Sequence, residues 1–193
     1  MYDYIKGYIT EHSPAHVVVE TGGIGYFINI SLTTYTGIQA QKEVQLYLHQ
    51  AIREDAHLLY GFADKGERDV FRHLISVSGI GVNTARMILS SASPGEIRAA
   101  IVAENVNILK SVKGIGLKTA QRVIIELKDK FGKEGVGDNF LTSLNNTTRE
   151  EALSALVMLG FVKSNSQKVV DKIMGEQPTL TVEMVIKMAL KML

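Results

Sequence analysis

Apolar residues recur along this chain with two different periods, and the change of period divides it. Over residues 1–63 the alternation is two-fold. Tyr4-Ile-Lys-Gly-Tyr-Ile9 alternates, Val17-Val-Val19 is a β-branched run, and Gly25-Tyr-Phe-Ile-Asn-Ile30 follows a Gly22-Gly23 turn. Val44-Gln-Leu-Tyr-Leu48 and His57-Leu-Leu-Tyr60 add two more segments. Five short strands in so short a stretch predict a small β-barrel, OB-like among the options, with a five-stranded sheet packed on helices as the other arrangement. The last two strands are joined by Ala51-Ile-Arg-Glu-Asp-Ala56, which puts Arg53, Glu54 and Asp55 at an exposed tip. By residue type alone that tip is a solvated turn.

Ala63–Gly66 reads as a short joint, and residues 67–131 change to helical spacing, within a second domain over 64–131. Here one segment occurs twice. Leu74-Ile-Ser-Val-Ser-Gly-Ile-Gly-Val-Asn-Thr-Ala-Arg-Met-Ile-Leu89 returns 35 residues later as Leu109-Lys-Ser-Val-Lys-Gly-Ile-Gly-Leu-Lys-Thr-Ala-Gln-Arg-Val-Ile124, with 8 of 16 positions identical. Each copy predicts helix, tight turn, helix. Val70, Phe71, Leu74 and Ile75 share a face before the first turn, and Ala85, Ile88 and Leu89 share one after it. The helix after the second turn carries Ala120, Val123, Ile124, Leu127 and Phe131. Ser93-Pro-Gly-Glu96 is a capping box between the copies, and Asn105 or Asn107 starts the helix that enters the second turn.

The turns are Gly79-Ile80-Gly81 and Gly114-Ile115-Gly116. Glycine permits positive φ and close backbone approach, and the central isoleucine can pin the turn to the core. The amides that begin the following helix (Val82, Asn83 and Thr84; Leu117, Lys118 and Thr119) lack intrahelical acceptors and carry the positive end of the helix dipole. A phosphate suits that position. Lys113, Lys118 and Arg122 flank the second turn, and Thr84 and Thr119 offer hydroxyls. None of these groups reads a base edge, so the expected contact is with the sugar-phosphate backbone, independent of sequence. The pattern resembles the helix-hairpin-helix DNA-binding motif in tandem.

Residues 132–147 lose all periodicity and predict a flexible linker. Residues 148–193 predict three short helices. Thr148-x-x-Glu151 and Ser164-x-x-Gln167 are capping boxes, Gly160 and Gly175 close the first two helices, and Pro178 and Thr181 precede the third. The inward stripes are Leu153, Leu156 and Val157; Val169, Val170 and Ile173; and Val182, Val185, Ile186 and Ala189. So small a bundle cannot bury every apolar group. Leu156, Leu159, Phe161, Leu190 and Met192 are candidates for an outward, partner-binding surface, and five of the seven methionines lie here. The fold class predicted is thus multidomain α+β: barrel, tandem helical hairpins, small three-helix bundle.

Charge sharpens this division. The net charge is only +1. Residues 1–63 carry three basic and six acidic side chains, residues 64–131 eleven and seven, and residues 132–193 seven of each, so the repeat holds the only basic region. There is no cysteine, and no apolar run approaches the ~20 residues of a membrane span, so a soluble cytoplasmic protein is expected. No Walker-type phosphate loop occurs, so no ATP hydrolysis is expected. His12, His16, His49, His57 and His73 lack metal-ligand spacing, so no metal or cofactor is expected.

Taken together, Gly22-Gly-x-Gly25-Tyr26, Arg53-Glu-Asp-Ala-x-Leu-Leu-Tyr-Gly-Phe62, the twin hairpins, Glu126-Leu-Lys-Asp-Lys130 and Ala152-Leu-x-Ala-Leu-x-x-Leu-Gly-Phe161 resemble the RuvA family of Holliday-junction-binding subunits, over the whole chain. The resemblance implies a homotetramer of fourfold symmetry, or two facing tetramers, cradling an open four-way DNA junction. It makes Glu54 and Asp55 an acidic pin at the centre. It implies that the third domain docks on a RuvB-type hexameric AAA+ ATPase, with a RuvC-type junction resolvase as a further partner. Three features depart from the family pattern: Asn83 stands where lysine is frequent, Lys113 where proline is usual, and the first strand is less basic. The alternative from another class is a helix-hairpin-helix DNA glycosylase. It needs a catalytic Asp soon after the hairpin, where this chain offers Glu126, Asp129 and Asp138.

Overall fold

The computed structural model describes residues 2–134, 140–177 and 180–193. Two compact units divide the chain, Met1–Lys133 and Glu134–Leu193.

The first unit begins with strands β1 (Tyr4–Ser13), β2 (His16–Thr21) and β3 (Ile24–Ile30), helix α1 (Leu32–Ile38), and strands β4 (Glu43–Ile52) and β5 (His57–Phe62). The strands close a barrel in the order β1-β2-β3-β5-β4. All pairs are antiparallel except β3–β5, where Ile28 faces Leu59 and Ile30 faces Gly61 in parallel register. A parallel pair needs a crossover, and α1 begins that connection. Sequence pattern missed this helix because Leu32-Thr-Thr-Tyr-Thr36 is rich in β-branched residues. Ser31 starts it, its hydroxyl accepting from Thr34 N–H at 2.9 Å, and Ile38 anchors it in the barrel core. The alternating residues Ile5, Val17, Val19, Ile28, Ile30, Val44, Leu46 and Leu48 fill that core.

Helices α2 (Lys65–Ile75), α3 (Val82–Ser91), α4 (Pro94–Val102), α5 (Val106–Lys110) and α6 (Leu117–Glu134) complete the unit. The expected joint is shorter than predicted, since Asp64 already caps α2 and Lys65 and Gly66 are helical. The Ser93–Glu96 capping box forms, and Asn105 caps α5. Tyr60 and Phe62 of β5 enter the helical core beside Phe71, so barrel and helices share one apolar cluster. Each such aromatic or aliphatic side chain contributes about 1.5–3 kcal/mol on full burial.

Polar groups tie the same interface. The Ser31 hydroxyl donates to Glu67 Oε1, and the Thr34 hydroxyl donates to Oε2 at 2.6 Å, all within the protein interior. Arg68 Nη1 reaches Asp3 at 2.6 Å and its guanidinium lies 5.3 Å from the Tyr47 ring centre. Arg86 Nη1 donates to Ala15 C=O at 3.0 Å and to Asn29 Oδ1 at 3.3 Å.

The second unit contains α7 (Phe140–Met158), α8 (Lys163–Glu176) and α9 (Val182–Ala189). Its core is Ala152, Leu156, Val170, Ile173, Val185 and Ala189. Several expectations need correction here. α6 and α7 take up both ends of the stretch 132–147 expected as a linker; residues 135–139 and Asp138 among them lie outside the described residues, as does Pro178. Thr148 and Ser164 are inside helices rather than caps, because a Ser/Thr-x-x-Glu/Gln pattern also fits an exposed helical face. Val162 starts α8 without a side-chain bond. Gly175 falls within α8, whereas Gly160, at φ +96°, ends α7 as expected. Val157, expected inward, is exposed, and Leu156, placed both in the inward stripe and among the outward candidates, is fully buried, which fits the first expectation and corrects the second. Adjacent helical residues point about 100° apart, so with Leu156 in the bundle core Val157 turns toward solvent. Thr181 caps α9 as predicted. Among the described residues no helix is long and apolar enough to cross a membrane.

Candidate nucleic-acid interface

The two turns of the repeat adopt the same backbone. Gly79 and Gly114 both have φ +93°, a conformation that costs an L-residue about 1–2 kcal/mol. The isoleucines behave as the pattern demanded. Ile80 N–H donates to Val77 C=O at 3.0 Å and Ile115 N–H to Val112 C=O at 3.1 Å, with both side chains buried. Val77 and Val112 are buried beneath them, so each turn is riveted from below by a Val-Ile pair.

Above each rivet a helix starts. The amide of Ala85 donates to Gly81 C=O at 2.9 Å, and that of Ala120 to Gly116 C=O at 3.0 Å. The three amides ahead of each lie in the first turn: Val82, Asn83 and Thr84, then Leu117, Lys118 and Thr119. Gly81 and Gly116 do not have positive φ, and a Cβ added to either would meet nothing within 4 Å. The fold itself therefore does not require glycine at these positions. A group approaching from outside does, which is what a phosphate seated on the amides would be.

The hairpins stand side by side. A Cβ on Gly79 would lie 3.8 Å from Thr119 Cγ2, and Arg122 Nη1 donates to Ser78 C=O at 3.4 Å. Arg122 also lies 4.0 Å from Glu126 one turn on. It therefore braces the two turns while its side chain stays half exposed. Lys113 and Lys118 are exposed on the rim of the second turn, where Lys118, Gln121, Arg122, Ile125 and Glu126 line a shallow depression. Thr84 and Thr119 are half-buried. Asn83 is exposed and its Oδ1 accepts from the Tyr60 hydroxyl at 3.2 Å. The structure thus brings the two predicted turns together, where Gly79 lies beside Thr119 and Arg122 donates to Ser78, and adds Arg86 and Tyr60 as the groups that fix α3 on the barrel. No spacing signal in the sequence marked those two.

Away from the hairpins, Glu54 and Asp55 are exposed in the β4–β5 turn, closed by Arg53 N–H donating to Ala56 C=O at 2.8 Å. In the second unit Leu159 and Leu190 are exposed, at 61% and 45%, beside Met158 at 88%. Phe161 is half-buried against the bundle core, and Leu156 is withdrawn from any outer surface.

Comparison with known proteins accounts for this architecture. Residues 1–61 match the RuvA N terminal domain, residues 71–129 the SAM-like helix-hairpin-helix tandem, and residues 147–193 the RuvA C-terminal domain. The chain belongs to the RuvA family. It is 55% identical over the full length of both chains to the Holliday junction branch migration complex subunit RuvA of Bacteroides fragilis. It is 54% identical to the subunit of that name from Bacteroides thetaiotaomicron and 53% to that from Christiangramia forsetii, again with both chains fully covered.

Within the RuvA frame the glycosylase alternative is not favoured. Glu126 is exposed beside Arg122, and Asp129 is exposed on the same helix; neither sits in a packed pocket. Three of the histidines pack on aromatic rings: His16 stacks on Phe27 at 4.6 Å, His49 packs on Phe71 at 5.3 Å, and His73 meets Phe131 edge-on at 5.2 Å.

Proposed function

We propose that this protein is the DNA-binding subunit of a Holliday junction branch migration complex, non-catalytic by itself. It acts in the cytoplasm, in recombination and DNA repair. The observation that carries the reading is the pair of turns with the same glycine φ and the same closing hydrogen bond, each with an open glycine before a helix and both tied together by Arg122. One subunit offers a double phosphate clamp suited to a single duplex arm. A four-armed junction then calls for four subunits, which cyclic symmetry supplies; a second tetramer on the opposite face makes an octamer.

Rotation about the same axis gathers the Glu54–Asp55 turns at the crossover. Carboxylates facing phosphates repel by about 1 kcal/mol per pair at 4 Å in water, and more beside protein. That repulsion holds strands apart at the crossover and disfavours plain duplex there. The second unit, with Leu159 and Leu190 outward, docks on a RuvB-type hexameric ATPase that supplies the work of migration. A RuvC-type resolvase acts on the junction so held.

The test is binding to a synthetic four-way junction against linear duplex of the same sequence, with solution mass measured alongside. A junction preference and a mass of at least four chains are expected. Lys118→Ala weakens junction binding and makes its salt dependence shallower by about 0.9 per lost phosphate contact. A monomer that ignores branched DNA at low ionic strength rejects the proposal.

A further inference from the structure

The barrel register places one unassigned feature next to the acidic turn. Thr21 pairs with Ile24 at the β2–β3 turn, and Ile52 pairs with His57 at the β4–β5 turn. β3 and β5 run parallel, so both turns lie at one end of the barrel. β1 is antiparallel to β4, with Tyr4 opposite Tyr47, so the start of β1 points to that end too. At this end the barrel opens into a mouth of about 370 Å³, rimmed by Tyr2, Tyr4, Lys6, Thr21 and Tyr26, with Leu59 among the residues below.

The mouth has the wrong composition for a barrel end that merely faces water. Tyr2 and Tyr4 are 51% and 57% exposed, so the barrel does not spend them on covering its own core. Three tyrosines and a threonine offer flat π faces and hydroxyls, which stack and hydrogen-bond without favouring one base. Lys6, held 3.5 Å from Glu43, keeps a cationic group on the rim while remaining largely exposed. Mouths of β-barrels of this size hold ligands of a few rings.

We propose that this mouth receives a nucleobase left unpaired at the crossover, stacked on Tyr4 and Tyr2. The inference rests on the junction-binding reading above. Branch migration breaks and remakes pairs at the crossover, so unpaired bases arise there in any sequence. Aromatic stacking tolerates every base, as that situation demands. The Glu54–Asp55 turn at the same end repels phosphates, while the mouth accepts the uncharged base; the two act on different parts of one nucleotide.

The experiment compares a fully paired four-way junction with one carrying two mismatched pairs at the crossover, using the full-length protein. Tighter binding of the mismatched junction by at least about five- to tenfold is expected for the unaltered chain, reflecting one stacked base. Tyr4→Ala removes that preference and Tyr4→Phe retains it, while affinity for the paired junction stays the same. A 5-iodouracil at the crossover crosslinks on irradiation to the peptide spanning residues 2–6. A preference undiminished in Tyr4→Ala, or crosslinks confined to the hairpin peptides, overturns the inference. A changed solution mass in Tyr4→Ala assigns the mouth to a contact between copies and overturns it as well. Failure of the unaltered protein to bind even the paired junction rejects the parent reading instead.

Discussion

The hydroxyl of Tyr60, a barrel residue, donates to the side-chain carbonyl of Asn83, the second residue of the helix that follows the first hairpin turn, at 3.2 Å. Burial raises the Tyr60 phenol above its ordinary range, so it remains a proton donor at neutral pH. Asn83 is therefore held by the barrel, and the first hairpin carries less charge than the second. Asn83→Lys is expected to tighten junction binding and to steepen the salt dependence by about 0.9. Titration at several salt concentrations measures both; an unaltered slope places residue 83 away from DNA.

Gly79 and Gly81 separate strain from access. Gly79→Ala forces an L-residue to φ +93° and is expected to lower stability by about 1–2 kcal/mol. Gly81→Ala meets open space and is expected to leave stability almost unchanged, while its methyl group would stand in the way of the phosphate proposed to seat on the amides. Urea denaturation and junction binding run on both variants should give opposite rankings. Equal losses of binding and stability in Gly81→Ala show that the glycine serves the fold instead.

The acidic turn should govern selectivity more than affinity. Glu54→Gln with Asp55→Asn removes the repulsion toward phosphates and is expected to raise duplex binding more than junction binding. Competition between the two DNAs reports the ratio. A ratio that does not fall denies the turn its place at the crossover.

Glu67 links barrel and helices through Ser31 and Thr34. Desolvation pushes its carboxyl up from the ordinary 4.5, against the downward pull of the two hydroxyl bonds. In the window between 4.5 and the raised native value the folded protein holds more protons than the unfolded chain, so stability falls as pH rises through it. Glu67→Gln abolishes that slope. It also leaves one of the two hydroxyls without its acceptor, at a cost of about 1–3 kcal/mol. Thermal unfolding from pH 4 upward tests the sign; a stability that rises through the same window contradicts it unless the slope persists in Glu67→Gln.

Leu159→Ser with Leu190→Ser alters exposed groups of the second unit and should leave its core intact. Junction binding is expected to persist while stimulation of the ATPase partner is lost. Persistent stimulation moves the docking surface to Val162 or Met184, which are also exposed.

Local pattern by itself determined much of this protein. Two-fold and 3.6-fold periodicity marked the strands and helices, the repeat marked both Gly-Ile-Gly turns down to the buried isoleucines, and unequal charge marked the helical region as basic. Those features depend on residues close in sequence, whose backbone demands are local. Tertiary structure alone decided the rest. It made a helix of the threonine-rich stretch after Ser31, because a parallel β3–β5 pair needs a crossover. It turned Val157 outward and left Leu156, which the pattern allowed on either face, in the core. It joined Glu67 to Ser31, Arg86 to Ala15 and Tyr60 to Asn83 across long separations. Such contacts leave no periodic trace, since burial and hydrogen-bond partners are supplied by whichever element the fold brings alongside.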